Sequence, residues 1–530
     1  MNGRKARPPE RALHPRNAAM RLHLLPAALT VVAALGAAAP GCSLGNIAQD
    51  DCESSGECEA AFGLGSACVE GFCSSPKACS TGHDCRRMFG GGACVNGGCV
   101  AALPRDPACS VTEPPDLLEK SAVGDGSHVL LGGIMPLQIS VGDARSKSVM
   151  LAVREINRTG GTVDGRPLGV IFCDNGGPDN AVEGDARKAL TEHAMDYLAG
   201  TLGVPALVGP LSSSDALTVI SRALFKSYPT VIISPSATSP ALTKQPDRLD
   251  PTDPHGIFWR TCPNDELQGD VLASVIPKGQ KVAVIYAQDA YGEGLFSVFK
   301  QKYEMGSDPA MPSTVVSFPF DASTDRPSLA SKVAGAAPQA VLIIAVQAAD
   351  TVSFLTELAK TSVGSVPFFF TDGSKNDAVL LDPGLPSGVR DIIQNGRGTA
   401  PARPEGVNYE LFKSNLDKDF MISADAFAFL AQSYDAAYVA AYGVVYASRS
   451  GADYDGLDVA EGLASLSEGT QVNIGPTAWP EGKSELSSGP LKINVEGTSG
   501  GLDFDPETGE APGSIEIWKV LPGLAGFVTE

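Results

Sequence analysis

Histidine is scarce in this 530-residue chain: there are six, and none follows His255. A hydrolase built on a doubly wound sheet needs its histidine after the nucleophile and the acid, and no G-x-S-x-G elbow is present. Ser212 and Ser213 therefore lack the partners of a nucleophile, and no enzyme activity is expected. Basic residues are also few, 40 Lys and Arg against 61 Asp and Glu, for a formal net charge of -21. Binding nucleic acid through its phosphates needs a basic face, so no nucleic-acid partner is expected. The C-x2-C pairs of zinc ribbons are missing, and LDFDPETGE lacks the glycine and the distal Glu of a calcium loop. No metal or cofactor is expected. Beyond the N-terminus no apolar run approaches the length of a membrane span.

That N-terminus reads as an export signal over residues 1–41, with Arg21 ahead of the run LHLLPAALTVVAALGAAAP and Met20 an alternative start. Ala39-Pro40-Gly41-Cys42 resembles a bacterial lipobox, which implies lipidation of Cys42 and a membrane-anchored protein of the cell envelope facing the periplasm, with the outer membrane preferred. Nine of the twelve cysteines fall in residues 42–99. Residues 52–73 read C-x5-C-x9-C-x4-C and residues 79–99 read C-x5-C-x8-C-x4-C, with GSACVEGFC echoed by GGACVNGGC. This tandem repeat has too little apolar content for a core, so disulfides must supply its rigidity. Residues 42–110 are expected to form a Cys-rich stalk, with a protein-binding module as the other reading, and residues 111–126 a linker. Of the remaining cysteines, Cys109 is expected to pair with Cys173, the linker running back beside an edge strand and leaving Cys262 single.

From about residue 127 strand and helix patterns alternate. HVLLGGIMP, PLGVIFCDN, VPALVGP, TVIISP and IFWRTC form one series, and KVAVIYAQD, STVVSFP, AVLIIAV and VPFFFTDG another. Continuous apolar strands imply sheets buried on both faces by helices, hence an α/β fold with two doubly wound parallel-sheet lobes. A helical region over 401–467, notably 424–448, and a last strand, SIEIWKV, suggest that the chain passes between the lobes more than once.

Two junctions stand out, VPALVGPLSSSDAL and PTVIISPSATSPALT, each a buried strand running into a hydroxyl-rich helix start. In an open parallel sheet ligands sit beyond the carboxyl ends of strands, where helix N-termini offer free N–H groups. Ser212 and Ser213 at one junction and Ser236, Ala237 and Thr238 at the other suit a carboxylate; capping of the following helix is the competing role.

These segments, with LAVREINRTGGTVDGRPLGVIFCDN, FWRTCPND, KVAVIYAQDAYGEG and GLDFDPETG, resemble the type I periplasmic binding proteins of the leucine/isoleucine/valine-binding class, receptors of ABC importers. The resemblance implies a hinged two-lobed flytrap, with lobe one over 127–265 and 400–505 and lobe two over 266–399 and 506–530. It places carboxylate contacts on Ser212 and Thr238, an amino-group contact on the Ser236 carbonyl, the acid that pairs with a ligand ammonium on Asp372, and a wall of the cleft on Tyr291. Gln347 stands where the family has an aromatic wall, and the aromatic expected at 139–141 is missing. Both departures point away from a branched-chain aliphatic ligand. The implied partners are an amino-acid-like, amide or related carboxylate ligand and an ABC permease; a sensor or scavenger whose Cys-rich repeats contact a protein is the alternative.

Overall fold

The computed structural model describes residues 52–119, 126–162, 165–178, 182–449, 451 and 453–530. The expected signal segment and Cys42 lie outside them. Among the described residues no helix is long and apolar enough to cross a membrane.

The apolar runs become the inner strands of two sheets. In the first, Val129–Met135 lies between Leu168–Asp174 and Ala206–Val208, followed outward by Val231–Ser234 and Phe258–Arg260, all parallel. The second runs Thr314–Phe320, Lys281–Ala287, Ala340–Ile344, Phe368–Phe370 and Arg397–Pro401 in parallel, then Ile515–Val520 and Phe527–Thr529 antiparallel. Because strand side chains alternate, Leu131, Val170 and Val208 enter one core of the first lobe and Ile134, Ile171 and Leu207 the other. Ile285 and Ile343, against Val284 and Leu342, do the same in the second. Thr314–Phe320 departs from burial on both faces: as the edge strand it leaves Thr314, Ser317 and Pro319 exposed. The helix Leu430–Ser448, buried at every position, packs on Ser140–Arg158 and Gly456–Leu463. It approaches the latter so closely that a Cβ on Gly462 would meet the Gly443 carbonyl oxygen at 2.9 Å.

The chain passes between the lobes after Arg260, after Pro401 and again between Ala511 and Ile515. Three expected limits shift. The helix Asp265–Val275 packs on Ala290–Glu304 of the second lobe and takes Asp265 with it. Ala400 and Pro401 complete a strand of the second sheet, and residues 506–511 stay with the first lobe, where Arg260 N donates to Gly509 O at 2.9 Å and Ala511 N to Arg260 O at 3.2 Å. This last passage carries a carboxylate on each side. Glu510 pairs with Arg260, whose side chain is fully buried and also donates to the carbonyls of Ala237 and Ser239. Glu516 pairs at 2.5 Å with the buried Lys375 and also accepts from Arg403 and Thr529.

The Cys-rich repeats fold alike, each a short helix (Ser55–Phe62, Gly82–Phe89) followed by a hairpin. Disulfides join first to third and second to fourth cysteine: Cys52–Cys68 and Cys58–Cys73, then Cys79–Cys94 and Cys85–Cys99. The second repeat is not a free stalk. A Cβ on Gly82 would meet Thr201 O at 2.3 Å, so its helix start lies flush on the first lobe. Arg86 donates to Tyr454 O at 2.9 Å and stacks on that ring, and Ala93 joins the first lobe's core. The segment 111–119 is likewise no linker: Val111–Glu113 pairs antiparallel with Leu168–Asp174, Glu113 bonds Arg154 at 2.9 Å, and Leu117 is fully buried. Leu117 and, partly, Leu118 pack into the first lobe's core, while Val111 is exposed. Cys109 and Cys173 are disulfide-bonded there, and Cys262 is free and buried.

Candidate ligand site between the lobes

On the first lobe, the strand ends Val208 and Ser234 feed the two hydroxyl-rich junctions. Ser212 caps the helix Ser213–Lys226, its oxygen accepting from Asp215 N at 3.1 Å. Ser213 ties the junctions together by accepting from Ser239 N at 3.2 Å. Ser236 donates to Leu211 O at 2.8 Å and accepts from Arg145 Nη1 at 3.0 Å. Arg145, near the start of Ser140–Arg158, also donates through Nε and Nη2 to Ala428 O and lies over the Phe429 ring. Ala237 offers its carbonyl to Arg260.

The second lobe presents acids. Asp372, just past the strand Phe368–Phe370, accepts at Oδ1 from Tyr291 Oη at 2.7 Å and from Gln268 Nε2 at 2.8 Å. With its one hydrogen on Asp372, Tyr291 Oη accepts from the Thr371 hydroxyl at 2.9 Å. Asp265 opens the helix Asp265–Val275, fully buried; its Oδ2 accepts from the Thr238 hydroxyl at 3.0 Å. The lobes touch here. Besides Thr238–Asp265, Ser239 donates to Ala290 O at 2.7 Å and Ser214 accepts from Ala290 N at 3.1 Å.

Burial dominates the electrostatics. It raises Asp372 above the ordinary carboxylate range, against hydrogen bonds from Tyr291 and Gln268 and the charge of Arg145. It raises Asp265 further, and the neighbouring Asp372 adds to the shift. It pulls Arg145 down to about 10, still charged at neutral pH, with Asp372 opposing. Cys262 is pushed up to about 12 by burial, so its thiol is not a nucleophile near neutrality.

Seven of the eight residues named from the sequence gather where the lobes meet. Gln347 does not join them by any hydrogen bond among the described residues; it stands half-buried at the start of the helix Ala348–Leu358. Arg145 and Asp265 escaped the sequence reading, although a signal was present. Arg145 lies four residues before Val149 on the buried stripe Val149, Ala152, Val153, Ile156, and Asp265 and Gln268 occupy the stripe that continues with Gly269 and Leu272. A charge on an apolar stripe, in the turn following a strand's carboxyl end, marks a side chain held at the cleft.

Two doubly wound lobes with three passages between them, and charged and hydroxyl groups collected at their junction, define a two-lobed receptor with the type I periplasmic binding protein fold. The chain belongs to the family described as the receptor family ligand binding region, which matches residues 144–522. The leucine-binding protein LivK from Thermotoga maritima has the same fold, with a TM-score of 0.57 over 76% of this chain and 97% of that one at 17% identity. A solute-binding protein of an ABC transporter from Rhodopseudomonas palustris, solved with benzoate, superimposes with a TM-score of 0.53 over 76% of this chain and 95% of that one at 15% identity. The Leu/Ile/Val-binding protein BraC3 of Rhizobium johnstonii is 28% identical over 188 residues, 34% of this chain and 45% of that protein. The match thus spans less than half of that relative's length.

Proposed function

We propose that this protein is the extracytoplasmic solute receptor of an ABC importer, anchored by a lipid on Cys42, and that it closes its lobes around an amino-acid-like or amide ligand. The observation that carries this reading is the division of charge across the cleft. Arg145, bonded to the Ser236 hydroxyl, and Asp372, bonded to Tyr291, are close enough to act on each other's ionisation. A zwitterion bridges such a pair, its carboxylate on lobe one and its ammonium on lobe two. Both contacts exist only when the lobes are closed, so the ligand draws the population to the closed form that a permease recognises. Carriage from mostly open to mostly closed takes a differential affinity of about 5 kcal/mol, within reach of two charge-assisted contacts desolvated together.

Thermal unfolding of the full chain against amino acids, amides and small carboxylates tests the reading. The expected result is a saturable rise in Tm with one chemical class, abolished by Arg145→Ala and by Asp372→Asn. A protein whose Tm moves with none of them is not a receptor for this class. The sensor or scavenger reading would then stand on the first Cys-rich repeat, where Phe62, Val69 and Phe72 are more than half exposed and available to a protein partner.

A further inference from the structure

Resting on that reading and narrowing it, we propose that the ligand carries one carboxylate and two cationic nitrogen groups, the second of which is received by Asp265. Three side chains set the charge of the site. Arg145 uses Nε, one N–H of Nη1 and one of Nη2 on Ala428 and Ser236, which leaves an N–H on each terminal nitrogen to grip a carboxylate in a fork. Asp372 takes its bonds from Tyr291 and Gln268 at Oδ1, so Oδ2 remains for an ammonium. Asp265 uses only Oδ2, on Thr238; its Oδ1 is buried with no hydrogen-bond partner.

The surroundings do not neutralise this second acid. Arg260, whose charge acts on it, spends Nη1 on the carbonyls of Ala237 and Ser239 and Nη2 on Glu510 and Thr243; its Nε has no partner and makes no hydrogen bond to Asp265. Asp372 and Asp289 both act on Asp265 as like charges, and Cys262 and Tyr291, also close, are neutral near pH 7. With Arg145 answered by the ligand carboxylate and Asp372 by one ammonium, an ionised Asp265 needs a second cation. A neutral zwitterion would leave it protonated with Oδ1 still unpartnered, as it is without ligand, or ionised and unpaired at a cost in affinity; a second cation satisfies it. The suppressed ionisation of both buried acids fits a site that sheds protons as a cation arrives.

Isothermal titration of the full chain with L-ornithine, L-lysine, L-leucine and putrescine decides the matter. Ornithine or lysine is expected to bind at least about tenfold tighter than leucine, as one added charge-assisted contact supplies. Putrescine, which cannot engage Arg145, should bind more weakly than ornithine. In Asp265→Asn the ratio of ornithine to leucine affinity should fall to near one. In the wild-type protein, repeating the ornithine titration in buffers of different ionisation enthalpy at pH 6 should reveal net proton release. Leucine binding as tightly as ornithine, or an unchanged ratio in Asp265→Asn, would overturn the assignment of Asp265 while leaving the cleft as a receptor site. Binding of none of the four, or of no other amino acid or amide, would overturn both.

Discussion

The two lobes share a fold and differ in what they bring to the cleft. Lobe one offers hydroxyls, backbone groups and one guanidinium; lobe two offers two buried carboxyls and a phenol. On the proposed reading neither wall alone holds both ends of a zwitterion, so the asymmetry would make binding and closure the same event. A deeper likeness underlies the contrast. Each lobe buries one cation whose carboxylate comes from the last passage between them, Arg260 with Glu510 in lobe one and Lys375 with Glu516 in lobe two.

That likeness can be broken most sharply at the carboxylates. Glu516→Gln strands Lys375 and should lower the unfolding free energy by about 4 kcal/mol, the cost of leaving a buried charge unpaired. Glu510→Gln should cost nearer about 3 kcal/mol, because Arg260 keeps its carbonyl acceptors. Denaturant titration of both variants checks the order, and equal losses would mean that those carbonyls contribute nothing.

The lobes should also respond to pH in opposite directions. In lobe one Asp435 is raised to about 6 by burial, despite accepting from Thr498 and Ser499. A folded pKa above the unfolded one means that its contribution is complete below about pH 4, is lost as pH rises through about 6, and totals about 3 kcal/mol. In lobe two burial would raise Glu516, but Lys375 more than reverses this and holds it below its ordinary value, so its contribution is lost on acidification instead. Unfolding of Asp435→Asn between pH 4 and 7 should show a flatter slope than wild type; an identical slope would remove Asp435 from the account.

The smallest effect sharpens the contact between the lobes. Ser214→Ala deletes the acceptor for Ala290 N and should disfavour closure by about 1 kcal/mol, weakening ligand binding roughly fivefold with little change in Tm of the unliganded protein. A loss confined to stability would make Ser214 a support for its own lobe only.

Much of this was legible in the sequence because burial on two faces writes itself as continuous apolar runs: Val129–Met135, Val231–Ser234 and Ala340–Ile344 announce their strands directly. The hydroxyl junctions were readable for the same reason, each following such a run. Val111–Glu113 was not, since an edge strand paired on one side needs few apolar residues. Docking of the second Cys-rich repeat was hidden too, because it rests on two glycines, Gly82 and Gly203, whose lack of side chains lets backbones meet. Arg145 and Asp265 belong to a third kind of omission: each is a charge on an otherwise apolar helix stripe, where the stripe itself marks the position as inward.

The last passage between the lobes also sets an order of events in time. Arg260 is 250 residues upstream of Glu510, and Lys375 is 141 upstream of Glu516. A nascent polypeptide therefore carries both cations bare until this late stretch is made, and neither interior can seal over an unmatched charge. Sealing of both interiors thus waits on the same late stretch, which ties the completion of one lobe to that of the other.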